Sequence, residues 1–348
     1  MRKWLAIEAG ILALLLVVAV AVCIIVSQSP QVPASADLEQ TRQTTEQTTE
    51  QTTEPEPTWM TFPADRQLLA KQYFVYDVAA EQFLSISGSQ SDRIYPASIT
   101  KLFTCYVALQ YLQPEQTVTV GDELDKVAPG SSVAHLRRGD QLTVSQLVEA
   151  MLLPSGNDAA YVLAANAGHA ILSGQTPSVN RAVEAFMDEM NRQAKTVGMT
   201  GTHFANPDGI HSADHYMTFA DLAILGRLAV ADPTITANAV ISEDTVTFAQ
   251  RGEQAEASEY DATTTQEVSA DTVLWKNTNA LIDPASKYYC PYAVGLKTGQ
   301  TPSAGSCLLS AFDVDGQQYI IGVFGCPEIE DRFEDTLQLF NEALAITQ

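Results

Sequence analysis

Strand-like stretches lie near the two ends of the foldable part of this chain, and helical patterns fill what lies between. Gln72-Tyr73-Phe74-Val75-Tyr76-Asp77 and Gln82-Phe83-Leu84-Ser85-Ile86-Ser87 carry the aromatic and β-branched content of strands and are separated by a short turn. Tyr292-Ala293-Val294-Gly295-Leu296-Lys297 reads the same way, and residues 306–312 and 318–324 flank Asp315-Gly316, a dipeptide suited to a two-residue hairpin turn. Between these ends, Asp140-Gln141-Leu142-Thr143 opens an amphipathic helix running to Leu153, with Thr143 as its cap. Residues 157–167, 179–197 and 218–230 also read as helices, and residues 329–347 close the chain with another. Residues 235–274 are polar and give no clear period. A strand must find a partner, so the distant ends are expected to meet in one antiparallel sheet. The fold class is therefore α/β (α+β), with flanking helices and a helical subdomain inserted between the strands.

The first 58 residues stand apart. Arg2 and Lys3 precede an apolar run at 5–26 that is broken only by Glu8. Residues 9–26 are uncharged and long enough for a bilayer span, and the flanking cations put the N-terminus inside. Ala34-Ser35-Ala36 resembles a signal-peptidase site but lies far past the apolar core, and Val22 is bulky for a lipoprotein signal ending at Cys23. An uncleaved anchor is the favoured reading. Thr44-Thr45-Glu46-Gln47 then repeats at 48–51 and, nearly, at 52–55. Such a tract cannot bury a core and forms a solvated spacer. The expected organisation is a cytoplasmic stub at 1–4, a transmembrane anchor at 5–26, a disordered Thr/Glu/Gln-rich stalk at 27–58 and a folded catalytic domain at 59–348, outside the cytoplasm on a single-pass membrane protein.

A formal charge of −23 argues against nucleic-acid partners. The five cysteines, at 23, 105, 290, 307 and 326, show no zinc spacing and no Cys-x-x-Cys pair. With Asp315-Gly316 as the turn, Cys307 pairs with Phe324 and shares a face with Cys326 diagonally, so a disulfide between the two cysteines is not expected. His211 and His215 stand four apart beside Asp208 and Asp214, but their Asn-Pro-Asp-Gly setting reads as a loop rather than a metal site. No metal or other cofactor is expected.

The chemistry concentrates in Pro96-Ala97-Ser98-Ile99-Thr100-Lys101. Serine and lysine three apart share a helix face, and Ser98 falls at the helix start, where free N–H groups favour a developing anion. An amine beside a hydroxyl can take its proton if burial or a nearby cation lowers its pKa. Alone the motif is weak. It is followed, in order, by Ser155-Gly156-Asn157 in a helix–helix loop and by Lys297-Thr298-Gly299 on a strand. That ordered triple marks β-lactamases and penicillin-binding proteins.

From about residue 68 to 348 the chain resembles the serine D-alanyl-D-alanine carboxypeptidases, the low-molecular-weight penicillin-binding proteins of peptidase family S11. The likeness extends to Val127-Ala128-Pro129-Gly130-Ser131-Ser132, to residues 152–160, 198–200 and 203–211, to Asn277-Thr278-Asn279 and to residues 295–301. It implies a β-lactamase/transpeptidase-like fold and removal of the terminal D-alanine from peptidoglycan stem peptides, with β-lactams as covalent inhibitors. Ser98 would be the acylated nucleophile and Lys101 its base. Ser155 and Lys297 would carry the proton to the leaving amine. Asn157 and the strand with Thr298, Gly299 and Gln300 would hold the donor peptide, and the N–H groups of Ser98 and Gln300 would form the oxyanion hole. Arg332 would grip the terminal carboxylate together with Thr298.

Two departures stand out. Gln300 replaces the aromatic residue or histidine common after Lys-Thr-Gly. No C-terminal β domain or amphipathic anchor is expected after the last helix, which leaves anchoring to the N-terminal span. Two other functions compete. A class A β-lactamase needs a glutamate-activated water, and no Glu-x-x-x-Asn loop is recognisable between Asn157 and Lys297. A non-catalytic penicillin receptor would acylate without turning over peptide. For Arg332, the ordinary alternative is a surface pair with Glu330 or Asp335.

Overall fold

The computed structural model describes residues 59–63, 66–173, 175–252 and 264–347. The stub, the anchor and the stalk all lie outside the described residues. Among the described residues no helix is long and apolar enough to cross a membrane.

The chain ends do meet in one sheet. Strands β1 (Gln72–Asp77) and β2 (Gln82–Ile86) form a hairpin after the entry segment. A two-residue strand β3 (Arg93–Ile94) leads into a 3-10 turn, Ala97–Ile99, and then helix α1 (Thr100–Ala108). Strand β4 (Thr117–Thr119) pairs with β5 (Gln141–Thr143), so residues 141–143 are a short strand and the helix α2 (Val144–Leu152) starts one residue later. Thr143 caps it as expected, its side chain and that of Gln146 each accepting the other's backbone N–H. Helices α3 (Asn157–Ile171) and α4 (Val179–Thr196) follow, and β6 (Met217–Thr218) pairs back to β3 before α5 (Phe219–Ala231). The polar stretch that gave no clear period forms a short helix α6 (Pro233–Ala239) and the strands β7 (Glu243–Thr247), β8 (Thr265–Ser269) and β9 (Thr272–Lys276) of a separate sheet in the order β7-β9-β8. Then come β10 (Ala293–Thr301), β11 (Gly305–Val314), β12 (Gln317–Cys326) and the terminal helix α7 (Asp331–Thr347).

The main sheet runs β10-β11-β12-β1-β2, antiparallel throughout. Its order explains the sequence pattern: β12 pairs with β1 across almost the whole domain, Gln72 opposite Phe324. Alternate residues face opposite sides. Phe74, Leu309, Ala311, Ile320 and Phe324 join the core beneath the inserted helices, while Val75, Leu308, Phe312, Ile321 and Val323 pack against Leu337 and Phe340 of α7. The Phe312 and Phe340 rings stack at 4.1 Å. The expected hairpin turn forms, with Val314 opposite Gln317 and both Asp315 (φ 52°) and Gly316 (φ 89°) left-handed, which suits the right-handed strand twist.

The cysteine register differs from the sequence reading. Between Leu308–Val323 and Ser306–Cys326 strand β12 carries one extra residue, which puts Ser306 opposite Cys326. Cys307 therefore belongs to the core under the helices and Cys326 to the core under α7, on opposite faces rather than the same one. Both are free, as are Cys105 and Cys290.

Residues just before β1 are part of the fold. Asp335, fully buried one turn into α7, accepts N–H bonds from Leu69 (2.7 Å) and Ala70 (2.6 Å) and the Arg66 guanidinium (2.8 Å). The Trp59 indole donates to Asn341 at 2.9 Å, at the other end of the same helix.

Candidate active site

The Ser98 region sits where the 3-10 turn feeds α1. Ala97 is left-handed (φ 49°), which turns the chain sharply so that Ser98, half-buried, stands at the helix entrance. Lys101 is fully buried one turn on. Its Nζ lies 2.8 Å from Ser98 Oγ, 2.7 Å from Asn157 Oδ1 and 2.8 Å from the Asp208 backbone oxygen. Those three oxygens match the three donors of an ammonium. Burial pulls the Lys101 pKa down to about 8, against the charges of Asp208 and Asp158, which hold it up. The neutral amine is thus a minority species at pH 7, and it gains its neutral form as pH rises through 8.

Ser155 and Asn157 come from the loop between α2 and α3. Ser155 is buried and left-handed (φ 64°), and Asn157 opens α3. The Asn157 N–H donates to Ser132 O at 2.9 Å, and the Asp158 carboxylate accepts from the N–H groups of Ala134 (2.9 Å) and Leu136 (3.0 Å). The 127–136 stretch is thereby locked against the start of α3.

The third motif lies on β10, the edge strand next to α1. Lys297 is buried, with Nζ 3.3 Å from Thr298 O and 3.4 Å from the hydroxyls of Thr298 and Thr278. Its pKa falls well below the usual lysine value, first through burial and then through the Lys101 and Arg332 cations. Burial is the first cause of the fall for both lysines. Gly299 is where β10 meets the Ser98 turn. A Cβ there would lie 2.8 Å from Pro96 O, 3.1 Å from Ala97 Cβ and 3.2 Å from Ser98 N, so only glycine permits this approach. Gln300 is exposed on the rim.

Arg332 is buried at the start of α7, with Nη1 3.5 Å from Gly299 O and its guanidinium 4.8 Å over the Phe333 ring. Burial lowers its pKa to about 10. The ordinary pairings fail for it: Glu330 bonds Lys287 and Tyr288, and Asp335 bonds Arg66 and the chain entering β1. Arg332 Nε has no hydrogen-bond partner among the described residues. Thr298, its expected companion, instead shares a 2.6 Å hydroxyl contact with Thr278.

Two residues at the site carried no role in the sequence reading. Thr278, in Asn277-Thr278-Asn279, joins Lys297 and Thr298. Asp208 meets Lys101 through its carbonyl. Both lie in stretches whose family likeness was legible, but a backbone acceptor leaves no mark on residue type. The histidines are separate: His215 is buried, bonded to Thr100 Oγ1 at 2.8 Å and kept neutral with a pKa near about 3, whereas His211 is exposed against the Tyr95 ring. Among the described residues no group of three or more His, Cys, Asp or Glu could hold a metal ion.

The buried amine that meets Ser98 Oγ is Lys101, a pairing suited to activating a serine nucleophile. On a five-stranded antiparallel sheet with helices inserted between its strands, this defines the penicillin-binding and β-lactamase-like class. Residues 58–328 match the D-alanyl-D-alanine carboxypeptidase family, peptidase S11, and the chain belongs to it. It is 32% identical to a D-alanyl-D-alanine carboxypeptidase of Streptomyces sp. (strain K15) over 72% of this chain and 78% of that one. It is 26% identical to D-alanyl-D-alanine carboxypeptidase DacC of Escherichia coli (strain K12), over 78% of this chain but only 60% of the relative's length. The crystal structure of the Streptomyces K15 DD-transpeptidase superposes with a TM-score of 0.68 at 28% identity, covering 80% of this chain and 98% of that one. The D-alanyl-D-alanine carboxypeptidase DacD of Francisella tularensis gives 0.65 at 26% identity, covering 82% and 72%.

Proposed function

We propose that this chain is a serine-type D-Ala-D-Ala carboxypeptidase that removes the terminal D-alanine of peptidoglycan stem peptides through an acyl-enzyme on Ser98. The observation that carries this reading is the contact of buried Lys101 Nζ with Ser98 Oγ at 2.8 Å. Neutral Lys101 takes the hydroxyl proton as Ser98 Oγ attacks the penultimate D-alanine carbonyl. The N–H groups of Ser98 and Gln300 receive the developing oxyanion, a role supported by the close approach of Gly299 to Ser98 N. Lys297 and Ser155 return the proton to the leaving amine. Asn157, Thr298, Gly299 and Gln300 hold the donor. Arg332 and Thr298 take the terminal carboxylate, in a region where Lys297 and Arg332 concentrate positive charge inside an acidic protein. Water then releases the acyl group. β-Lactams acylate the same serine.

The organisation that goes with this activity is a membrane anchor at 5–26, a stalk at 27–58 and an extracytoplasmic catalytic domain at 59–348, supported by Arg2, Lys3 and the uncharged run at 9–26.

A second reading concerns the acceptor. The Streptomyces relative is named both a carboxypeptidase and a DD-transpeptidase, so an amine in place of water is the competing acyl acceptor. The test is mass spectrometry of the protein after incubation with a penicillin, followed by assay of D-alanine release from a D-Ala-D-Ala peptide with and without an added amine. One adduct on the Ser98 peptide, lost in Ser98→Ala, is the expected result, with hydrolysis dominating transfer. An adduct that persists in Ser98→Ala overturns the assignment, rapid loss of the adduct favours a β-lactamase, and acylation without peptide turnover favours a receptor.

A further inference from the structure

Lys101 faces an electrostatic problem that its direct contacts do not solve. Its three acceptors are a hydroxyl, an amide and a peptide carbonyl, none of which carries a formal charge. When Lys101 accepts the Ser98 proton, a cation forms in a fully buried position. The groups that face it electrostatically are Asp208 from the 206–210 loop, Asp158 from α3, Cys105 one turn further along α1 and Lys297 from β10. The Cys105 thiol is pushed up by burial and stays neutral. Lys297 repels the charge. Asp158 is already occupied by the N–H groups of Ala134, Leu136 and Ala159.

Asp208 differs. It is 1% exposed, Oδ1 accepts one N–H from Ile210 at 3.2 Å, and Oδ2 has no hydrogen-bond partner among the described residues. Burial raises its pKa, and the Lys101 cation opposes that rise. Its remaining titratable neighbour is Tyr161 on α3, whose phenol burial and the Asp208 charge both push up. A buried carboxylate left so poorly bonded costs more stability than a neutral group in its place. Nor does the loop need the charge for its shape. Asn206 accepts the Gly209 N–H and donates to Ile210 O, both at 2.8 Å, and Thr104 Oγ1 donates to Pro207 O at 2.7 Å.

We propose that Asp208 is a positioning residue for acylation, its buried carboxylate being the counter-charge that stabilises the ammonium formed on Lys101. The inference rests on the acyl-enzyme reading above. The step balances within the site: the Ser98 O–H bond breaks, its proton goes to Nζ, Oγ bonds the acyl carbon and the carbonyl electrons move to the oxyanion. The proton then leaves with the amine, through Lys297 and Ser155. Asp208 gains and loses nothing. It makes Lys101 the stronger base.

Two linked effects distinguish this from a structural role. In Asp208→Asn the ammonium loses its counter-charge, so Lys101 deprotonates at lower pH and is a weaker base when neutral. The experiment follows β-lactam acylation of the full chain from pH 5 to 10, beside a lysine-labelled NMR titration of Lys101, assigned by the signal absent from Lys101→Arg. The expected result is a fall of roughly 1 pH unit in both the acid limb and the NMR midpoint, with a plateau rate about tenfold lower. Asp208→Ser, a second neutral variant, gives the same shift and serves if the asparagine form does not fold. Unmoved midpoints in a folded variant overturn the proposal, and so does a lower plateau with no shift. Should the wild type form no adduct at any pH, the acyl-enzyme reading fails instead, and the NMR midpoint, which needs no turnover, still decides the role of Asp208.

Discussion

Gly299→Ala puts one methyl group where β10 meets the Ser98 turn. The added Cβ would stand 2.8 Å from Pro96 O and 3.2 Å from Ser98 N, against 3.4–4 Å for ordinary van der Waals contact. Both opposing groups are backbone, so no side chain can swing away. Either β10 or the 3-10 turn must retreat by roughly half an ångström. The φ angle at 299 is not left-handed, so alanine adds no torsional strain of its own and the fold is expected to hold. On the proposed mechanism the retreat acts on alignment, moving the Ser98 N–H relative to the Gln300 N–H that would share the oxyanion with it. Removing one oxyanion donor outright costs about 10²–10³ in rate, and a misplacement near 1 Å costs about 10². A shift of half that size is expected to slow acylation about ten- to a hundredfold, or roughly 1.4–2.7 kcal/mol of transition-state stabilisation. The assay is the second-order rate of β-lactam acylation together with kcat/KM for a D-Ala-D-Ala peptide, with thermal unfolding measured on the same samples. Wild-type rates would show that this contact does not align the site. A large fall in Tm matching the loss of rate would show that the contact supports the fold instead.

Lys101→Arg keeps the positive charge but cannot yield its proton, so acylation falls by roughly two or more orders of magnitude; near-normal acylation would mean another base. Arg332→Ala is expected to lower D-alanine release from a free-carboxylate peptide about ten- to a hundredfold while slowing an amide-type donor much less, and equal losses on both would assign Arg332 to the fold or the general site. Because Arg332 is buried, that comparison is made at matched folded fractions from thermal melts. Glu149, buried on α2 beside Asp244, is raised to about 8, first by burial and then by that neighbour. Its proton stays bound in the folded state after the unfolded chain has lost it, so stability declines as pH rises from about 4.5 through 8. Glu149→Gln is expected to flatten the decline and gain about 1–3 kcal/mol at pH 8, and identical melts there would refute this.

Much of the fold was legible because its signals are local. The Asp315-Gly316 turn requires left-handed backbone at both positions, and Thr143 with Gln146 forms its cap within a single turn. The pairing of β12 with β1 was legible only as a need for partners, since the register depends on residues nearly 250 positions apart. The stretch 235–274 failed because its strands bury few residues; β8 is exposed beyond Thr265, so no alternation marks it. The Cys307–Cys326 geometry failed for a different reason. The extra residue lies in β12, where Phe324 and Gly325 together stand against Cys307, so Cys326 falls on the other face from Phe324; the left-handed Gly325 (φ 71°) is the residue type that marks it.

For the proposed site, the candidate groups were legible from residue type and chain order alone. The order of Ser98, Lys101, Ser155, Asn157, Lys297, Thr298 and Gly299 is a matter of chemistry and chain order, and the structure brings Lys101 to both Ser98 and Asn157 while Gly299 rests against the Ser98 turn. What only the tertiary structure decided is the electrostatic setting. Lys101 titrates near about 8 because three distant segments close over it, Lys297 is depressed by the same burial and by its neighbouring cations, and Arg332 lies behind Gly299 rather than at the surface. Asp208 reaches Lys101 through a peptide carbonyl that every residue type possesses, and its carboxylate is 1% exposed because the fold removes water from around it. Residue identity fixes which protons can move. Burial, which is a property of the assembled chain, sets the pH at which they do.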